Sequence, residues 1–348
     1  MQRQALQGVT PAVLAERTGM PLPDARKIVS AVHRDRPVDG PVPGVRRASL
    51  DALRALFEVP SLAVESEQAS EVDPFRKLVV RTGDGELIET VRIPLEKAGR
   101  FSVCVSSQVG CALACAFCAT GRLGLRRNLE AWEIVEQVRL VRRGITEGRV
   151  HGVVFQGMGE PLANLDRVLE AIAVMSDPSA LAIDARAITV CTSGLPSGIR
   201  RLASEAPRVR LGLSLGSALG GGARRSLMPI DRAHPLSEVI DAAVEHARAT
   251  GHAPLWAITL LDGVNDGDDD ARALARLARD FAERAGVRPR ISVIPYNAIG
   301  GDDPFRRASA ARETAFRDTA REHGAFTHRR YSGGADVAAA CGQLAARR

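Results

Sequence analysis

The chain has 348 residues, of which 45% are hydrophobic and 25% are charged, an ordinary balance for a soluble protein. This length favours one large domain plus a small one, with enough chain for a substantial core. No apolar run approaches the ~20 residues of a membrane span, and the first residues lack the apolar stretch of a signal peptide. We therefore expect a cytoplasmic protein that does not bind membranes, and its free thiols fit a reducing compartment.

The positive charge of the chain is almost entirely arginine. The formal net charge is +6, and the only lysines are Lys27, Lys77 and Lys97. Guanidinium groups suit bidentate contacts with phosphate, and a basic excess favours an anionic partner, nucleic acid first. A GC-rich genome or a plain solvated surface would give the same bias, so charge alone does not identify the partner.

Residues 1–60 are predicted to form a small helical unit. Thr10 is a typical N-cap before Pro11 at the first helical position, and Gly19 is a suitable end. A second helix is predicted from Pro23, and Ser49 is predicted to cap a third. Basic side chains are spread between these helices, at Arg26, Lys27, Arg34, Arg46 and Arg47. Such a unit could bind RNA, or it could be a docking domain with a charged surface.

Residues 61–73 are polar and without a pattern, so they are predicted to be a linker. Two β-rich runs follow, Arg76–Arg81 and Leu87–Ile93, joined by Gly83-Asp84-Gly85. Glycine and aspartate between two such runs are typical of a β-hairpin. Glu89 lies on the second predicted strand.

From Phe101 onward, apolar runs alternate with helical patterns. The runs are Phe101–Val105, Val150–Phe155, Ala187–Cys191, Val209–Leu215, Leu255–Leu261 and Ile291–Ile294. Continuous apolar strands separated by helices predict an α/β fold with a parallel sheet. A full eight-unit barrel needs ~250 residues, so six units predict a partial, open (β/α)6 barrel. Active sites of such folds lie at the C-terminal ends of the strands.

These elements divide the chain into three predicted parts. Residues 1–73 would be a helical accessory domain, which could bind RNA, with its linker. Residues 74–100 would be a β-hairpin extension. Residues 101–348 would be the barrel core together with a C-terminal segment.

Three cysteines follow the first barrel strand at the spacing C-x3-C-x2-C: Cys111, Cys115 and Cys118. Three thiolates can hold three irons of a [4Fe–4S] cluster, leaving the fourth iron free for another ligand. A zinc site would require a second Cys or Cys/His pair, which the sequence lacks. A secreted disulfide framework requires a denser set of cysteines. Phe117 precedes the last cysteine, and the whole motif resembles the signature of the radical S-adenosylmethionine (SAM) superfamily.

Small and polar residues follow several other predicted strands. In Gly157-Met158-Gly159-Glu160-Pro161, glycines could let the backbone approach a ligand, and the carboxylate could bind the ammonium of an amino acid. Cys191–Gly194, Ser214–Gly216 and Ile294–Asn297 would suit ribose and carboxylate contacts. Ordinary loop chemistry is the alternative for each of these sets.

Two further cysteines lie outside the triad. Cys341 stands in a run of small residues near the C-terminus, and Cys104 lies on the first barrel strand. Each could be a packing residue. Beside a cluster, however, a pair of spare thiols favours redox or covalent chemistry.

Four stretches together resemble the RlmN/Cfr family of radical SAM RNA methyltransferases: CVSSQVGCALACAFCATG, GMGEPLANLD, IPYN and AACGQLA. The resemblance runs from about residue 76 to residue 346. It implies a [4Fe–4S] cluster and SAM as cofactors and methylation of an adenosine, at C2 in 23S ribosomal RNA. The alternatives are methylation at C8, a different RNA target such as transfer RNA, a radical SAM enzyme with a non-RNA substrate, and a non-enzymatic iron–sulfur or zinc RNA-binding module. It also implies a reducing electron donor such as flavodoxin, and we expect a monomer.

The resemblance implies a role for each matching residue. Cys111, Cys115 and Cys118 would bind the cluster. Cys341 would take a methyl group from one SAM, Glu89 would remove a ring proton, and Cys104 would release the product by forming a disulfide with Cys341. The SAM site would comprise Gly159, Glu160, Cys191, Ser214, Gly216 and Asn297.

The chain departs from the family pattern in four places. Gly216 stands where histidine is usual, and Cys191 stands where serine is usual. Tyr331–Asp336 replaces the usual Arg-Gly-Asp-Asp, and Ala298 replaces a proline after Asn297. The chemical groups are therefore retained, while contacts near the substrate and SAM differ.

Overall fold

A computed structural model describes residues 3–220 and 222–345. Its strands are β1 (Gln4–Ala5), β2 (Phe57–Glu58), β3 (Ala63–Ala69), β4 (Arg76–Arg81), β5 (Leu87–Pro94), β6 (Arg100–Val105), β7 (Gln108–Gly110), β8 (Leu125–Asn128), β9 (Arg149–Phe155), β10 (Ile188–Thr192), β11 (Arg210–Ser214), β12 (Leu255–Leu260), β13 (Arg290–Pro295) and β14 (Thr327–Arg329). Its α-helices are α1 (Pro11–Thr18), α2 (Leu22–His33), α3 (Arg47–Leu56), α4 (Ala131–Arg143), α5 (Leu165–Ser176), α6 (Pro196–Glu205), α7 (Ala223–Leu227), α8 (Leu236–Thr250), α9 (Asp268–Ala285) and α10 (Ala310–Glu322).

The central sheet runs in the order β14-β13-β12-β11-β10-β9-β6-β5-β4-β3. From β6 to β14 every neighbouring pair is parallel. The six predicted barrel strands are confirmed as β6, β9, β10, β11, β12 and β13. The short strand β14 adds a seventh, which was not predicted because its three residues are polar and too few to show a period. The α/β fold with a partial parallel barrel is therefore confirmed.

The predicted hairpin forms, and it extends the barrel sheet through antiparallel pairing of β4 with β5 and of β5 with β6. The prediction that residues 61–73 form only a linker is wrong. Ala63–Ala69 is strand β3, which pairs with β4 at the edge of the sheet. Most of its side chains are exposed on both faces, so no apolar alternation marks it as a strand.

The two faces of the parallel sheet carry different side chains. Trp256 of β12 packs edge-on against Phe281 of α9, with ring centroids 5.2 Å apart, so this face of the sheet meets the helices. Side chains alternate along a strand, which places Ala257 on the opposite face, inside the barrel. The same register puts Cys104, Cys191 and Ser214 on that interior face.

The N-terminal unit has a core of its own, centred on Leu14, Ile28, Val29 and Leu53. The predicted first helix is confirmed, since the hydroxyl of Thr10 accepts from the backbone N–H of Val13 at 3.4 Å.

The predicted cap of the third helix is wrong. Helix α3 begins at Arg47, which places Ser49 inside its first turn. Asp24 of α2 takes over the capping function, because its carboxylate accepts from the backbone N–H of Arg46 at 3.3 Å and from the hydroxyl of Ser49 at 2.7 Å. A cap supplied by a different helix leaves no local signal in the sequence.

Within the described residues, every helix is too short or too polar to cross a bilayer.

Candidate active site

The cysteine loop, residues 111–124, lies at the C-terminal end of β6 and is closed by the ribbon of β7 and β8. The backbone N–H of Cys111 donates to the carbonyl of Gly124 at 3.0 Å. Gly110 has a φ of +76°, and a Cβ there would lie 1.8 Å from the same carbonyl oxygen. Only glycine permits this approach, so the ribbon holds both ends of the loop together at the barrel mouth.

Two of the three thiols in the loop lie in a setting that disfavours their ionisation. Burial, the larger cause, together with the neighbouring thiolates raises the pKa of Cys111 to about 11 and that of Cys115 to about 12. Thiolates in such a place need a cationic centre. Among residues 3–220 and 222–345, no three or more His, Cys, Asp or Glu side chains gather tightly enough for one metal ion. A cubane cluster instead takes one thiolate on each iron.

The turn Gly157–Pro161 packs against the start of the cysteine loop. A Cβ on Gly157 would lie 2.6 Å from the carbonyl oxygen of Val105, and one on Gly159 would lie 2.6 Å from Cβ of Gln108. The carbonyl of Met158 accepts from the backbone N–H of Gln108 at 3.2 Å. These glycines therefore serve a close contact within the protein, in addition to any contact with a ligand.

Glu160 is a buried carboxylate without a basic partner among the described residues. One of its oxygens accepts from the backbone N–H of Leu162 at 3.0 Å and the other from that of Ser193 at 2.9 Å. Burial raises its pKa, and the hydrogen bond from Ser193 opposes that rise. A desolvated carboxylate that lacks a counter-ion is costly, so this position fits the ammonium group of a bound amino acid.

The C-terminal segment, residues 338–345, lies across the barrel mouth and carries Cys341 to the cysteine loop. The backbone N–H of Ala119 donates to the carbonyl of Gly342 at 2.8 Å. The side-chain amide of Asn297 donates to the carbonyl of Cys341 at 3.2 Å. Segments that are far apart in the sequence thus meet at the barrel mouth.

The thiols of Cys104 and Cys341 are electrostatically coupled inside the barrel. Burial, the larger cause, and the charge of the Cys341 thiolate together raise the pKa of Cys104 to about 12. Burial also raises the pKa of Cys341, while the charge of Arg330 lowers it. Burial raises the pKa of Cys191 to about 12 as well, and Arg330 again opposes this. All six cysteines are free thiols in this structure.

Glu89 lies on β5 and is tied to the C-terminal segment. Its carboxylate pairs with the ammonium of Lys77 at 3.0 Å, and both side chains are almost fully buried. Its second oxygen accepts from the backbone N–H of Ala345 at 2.7 Å, and Lys77 also donates to the carbonyl of Ala338 at 3.4 Å. A cavity of about 690 Å³ reaches this pair on the interior face of the sheet, the face that carries Cys104, and the C-terminal segment lines it as well.

Comparison with known proteins places this site in a family. The radical SAM superfamily model matches residues 105–278. A probable RNA methyltransferase of Sorangium cellulosum is 60% identical, covering 96% of this chain and 90% of the relative. A dual-specificity RNA methyltransferase RlmN of Syntrophobacter fumaroxidans is 41% identical, covering 83% of this chain and 81% of the relative. The chain belongs to the RlmN family of the radical SAM superfamily.

A solved structure agrees with this assignment. The crystal structure of a radical SAM methyltransferase from Sphaerobacter thermophilus superposes with a TM-score of 0.88 at 36% identity, covering 99% of this chain and 100% of that one. The similarity extends over the N-terminal unit as well as the barrel, since nearly the whole of both chains is matched.

The structure explains why this member of the RlmN family has glycine at position 216. Gly216 has a φ of +69°, and a Cβ there would lie 2.6 Å from Sδ of Met228, which is fully buried. Histidine would be strained and would collide with that sulfur. Ser214 is half-buried on the interior face two residues earlier.

The unusual segment Tyr331–Asp336 is held by residues that were predicted to be a linker. The hydroxyl of Tyr331 donates to the carboxylate of Asp73 at 2.9 Å, and the hydroxyl of Ser70 donates to Asp336 at 2.8 Å. A Cβ on Gly333 would lie 2.4 Å from the ring of Phe75. Glycine is thus required where the segment crosses the edge of the sheet.

Sequence reasoning missed four polar residues of the site: Gln156, Arg330, Lys77 and Arg224. Arg224 is buried, donating to the carbonyl of Leu215 at 3.0 Å and to Asp231 at 2.8 Å. Gln156 could have been found, because it lies between a strand and the glycine turn. Lys77 carried a signal too, as a lone lysine on an apolar strand.

Proposed function

We propose that this protein is a radical SAM methyltransferase that methylates an adenosine base of RNA, at C2 of a 23S ribosomal RNA adenosine, through an S-methylcysteine on Cys341. Membership of the RlmN family and the names of its relatives as RNA methyltransferases support the reaction class. The observation that carries the route is the approach of the C-terminal segment to the cysteine loop, through the 2.8 Å hydrogen bond from Ala119 to Gly342.

The residues present fit both cofactors. Cys111, Cys115 and Cys118 would hold a [4Fe–4S] cluster, since the loop supplies three thiols at the spacing that such a cluster requires. Glu160 would bind the ammonium of SAM. The rest of the SAM site would be Gly159, Cys191, Ser214, Gly216 and Asn297. When bound, the cluster supplies the electron that splits SAM and generates a 5′-deoxyadenosyl radical.

Cys341 is the methyl carrier in this proposal. The adenine ring carbon and the methyl carbon of SAM are both electrophilic, so direct transfer between them is disfavoured. A methyl group on the sulfur of Cys341 becomes a carbon radical once one hydrogen is removed, and that radical can add to the ring. Glu89 would then take the ring proton, and the thiolate of Cys104 would attack the sulfur of Cys341, so that the S–S bond forms as the bond from that sulfur to the methylene carbon breaks. The methylene carbon would take up a proton to become the methyl group, and the one surplus electron would return to the cluster. The disulfide formed is transient and is reduced before the next turnover.

RNA is the proposed partner, with transfer RNA as a second possible target, and a reducing protein such as flavodoxin is the proposed electron donor. The N-terminal unit is proposed to contact the RNA. Arg26, Arg34 and Arg47 are exposed there and have no ion-pair partner among the described residues. We further propose that the enzyme acts as a monomer in the cytoplasm.

The proposal is tested by comparing modified nucleosides from cells with and without the gene. Ribosomal and transfer RNA are digested, and the nucleosides are identified by mass spectrometry against authentic 2-methyladenosine and 8-methyladenosine. We expect 2-methyladenosine in 23S ribosomal RNA only when the gene is present. The C8 isomer would reassign the carbon, and no change in either RNA would contradict the proposal.

Two single variants distinguish the role of Cys341 from that of Cys104. Cys341→Ala should abolish methylation without an adduct, because the carrier is missing. Cys104→Ala should leave RNA covalently attached to Cys341, because release requires the second thiol. Full turnover in the Cys104 variant would refute the exchange step.

A further inference from the structure

Two polar side chains inside the barrel form a hydrogen-bonded chain that ends at Cys341. The amide nitrogen of Gln156 donates to Sγ of Cys341 at 3.2 Å. A guanidinium nitrogen of Arg330 donates to the amide oxygen of Gln156 at 3.0 Å. Neither residue belongs to the cysteine motif, the glycine turn or the C-terminal motif.

Both residues are set on the interior face by strand register. Val154 pairs with Cys104 across β9 and β6, and Gln156 lies two residues further on the same face. Ser292 pairs with His328 across β13 and β14, and Arg330 lies two residues beyond His328. The backbone N–H of Arg330 donates to the carbonyl of Val293 at 2.9 Å, so the sheet itself fixes the arginine.

The arginine determines which end of the amide faces the sulfur. A guanidinium has only donors, so the amide oxygen of Gln156 has to face Arg330. The amide nitrogen then faces Cys341, and the sulfur is the acceptor. A thiolate accepts such a bond more strongly than a thiol does, because the hydrogen bond is then charge-assisted.

We infer that Gln156, locked in one orientation by Arg330, positions the Cys341 thiolate to receive the methyl group of SAM. This inference rests on the proposed function for the identity of the methyl donor. In the step, the sulfur of Cys341 forms a bond to the methyl carbon, the sulfonium–methyl bond breaks, and its electron pair stays on the departing S-adenosylhomocysteine. Neither Gln156 nor Arg330 gives up a proton. Gln156 and Arg330 are positioning residues that fix the direction of the sulfur lone pair.

The position of Cys341 makes such an orienting contact necessary. The backbone of the segment is held on both sides of the cysteine. Before it, the backbone N–H of Ala339 donates to the carbonyl of Gly334, and after it, the carbonyl of Gly342 accepts from Ala119. The side chain can still rotate about its Cα–Cβ bond, because the backbone contacts leave χ1 free among staggered wells. The contact with Gln156 is the one side-chain hydrogen bond of Cys341 within the described residues.

The test measures the reactivity of Cys341 toward iodoacetamide and toward SAM in the same preparations. Full-length protein is made in a cell-free system depleted of SAM, so that Cys341 begins unmethylated, and its cluster is reconstituted without oxygen. Peptide mass spectrometry follows the labelling of Cys341 over time. Iodoacetamide requires neither RNA nor SAM, so its result is independent of the proposed function.

Gln156→Met removes the donor and keeps an unbranched side chain of similar size. We expect alkylation of Cys341 to slow about tenfold, the factor equivalent to ~1.4 kcal/mol, with Arg330→Met acting in the same direction. Arg330→Lys should restore part of the rate, because lysine can still donate to the amide oxygen. Ser292→Ala is the matched control, since it removes an interior hydroxyl that contacts His328 at 2.8 Å and not a thiol. Cluster absorbance and thermal unfolding confirm that each variant is folded.

The outcomes are distinct. Alkylation at the wild-type rate in Gln156→Met and Arg330→Met overturns the inference, as does an equal loss in Ser292→Ala. Slow alkylation in the two variants, together with slow methyl transfer from SAM, supports it. Slow alkylation with no methyl transfer even in the wild-type protein upholds the positioning of the thiol and refutes the proposed function.

Discussion

The interior of the barrel carries small residues where a packing core would carry branched apolar ones. Cys191 is paired with Gly212, and Ser214 is paired with Ala257. The opposite face of the same strands is filled by fully buried side chains such as Trp256 and Phe155. Because protein interiors are close-packed, a face without bulky side chains leaves space for a ligand. Small side chains thus line the interior face of the sheet, and large apolar side chains fill the face that packs against the helices.

The buried pair of Lys77 and Glu89 predicts a stability effect for single-residue changes. Lys77→Met leaves the carboxylate of Glu89 buried without its counter-ion, and the backbone N–H of Ala345 is then its one hydrogen-bond donor within residues 3–220 and 222–345. We expect the free energy of unfolding to fall by ~3 kcal/mol, the typical result of breaking a buried ion pair. Chemical denaturation followed by circular dichroism measures this.

The double variant Lys77→Met/Glu89→Gln provides the control. It removes both charges, so it should regain most of the lost stability. Additive losses from the two changes would mean that the two charges do not stabilise each other.

At the scale of elements, the sequence predicted the strands and helix caps that leave a local pattern, and it missed the elements that leave none. The six long apolar strands and the cap of α1 each leave a local pattern, and each prediction was confirmed. Strand β3 is exposed on both faces, and β14 has three residues, so neither carries a period. The cap of α3 comes from Asp24, more than twenty positions away, and no local pattern records it.

The residues of the candidate site also fall into two groups, those in contiguous sequence motifs and those that only the fold brings together. Cysteine spacing and the glycine turn are contiguous motifs, so the residues they contain could be named from the sequence. Gln156 and Arg330 are 174 positions apart, and their contact arises only when β9 and β14 lie in one sheet. Lys77 and Ala338 are 261 positions apart, and they meet only because the C-terminal segment folds back onto β4.

The helices of the N-terminal unit predict a salt-dependent RNA contact. Arg26, Arg34 and Arg47 are exposed on or beside α2 and α3. Replacing all three by alanine should weaken binding to a 23S ribosomal RNA transcript. If all three contact phosphates, the slope of log affinity against log salt should fall by about 2 to 3. Filter binding over a series of salt concentrations measures both quantities.

A matched triple at the other end of the barrel controls for net charge. Arg276, Arg279 and Arg288 are exposed on α9 and just before β13. Their replacement by alanine should leave the slope unchanged. Equal slopes for the two triple variants would indicate that the N-terminal unit only docks on the barrel.

The whole molecule is held together by a charged junction between the N-terminal unit and α4. Asp35, with a φ of +55°, follows α2 and contacts Arg139 and Arg143 at 2.6 Å each. Arg139 is buried and also donates to the carbonyl of Val32 at 2.8 Å. These contacts enclose His33, which is fully buried, and neither of its ring nitrogens has a hydrogen-bond partner in the part of the chain that the structure describes.

His33 therefore makes the stability of the whole chain depend on pH. Burial, the largest cause, and the charges of Arg139 and Arg142 lower its pKa from 6.5 to about 3, while Asp35 opposes them. The unfolded chain consequently binds more protons below pH 6.5, so this contribution to stability is complete above that pH and is lost as the pH falls.

Between pH 7 and pH 5 the loss from His33 should be about 2 kcal/mol. His33→Met should flatten the pH dependence of the free energy of unfolding, measured by urea denaturation, by that amount. His246, whose pKa burial lowers to about 4, should still titrate in the variant. An unchanged slope would mean that His33 is accessible to protons in the folded protein and that the junction is open.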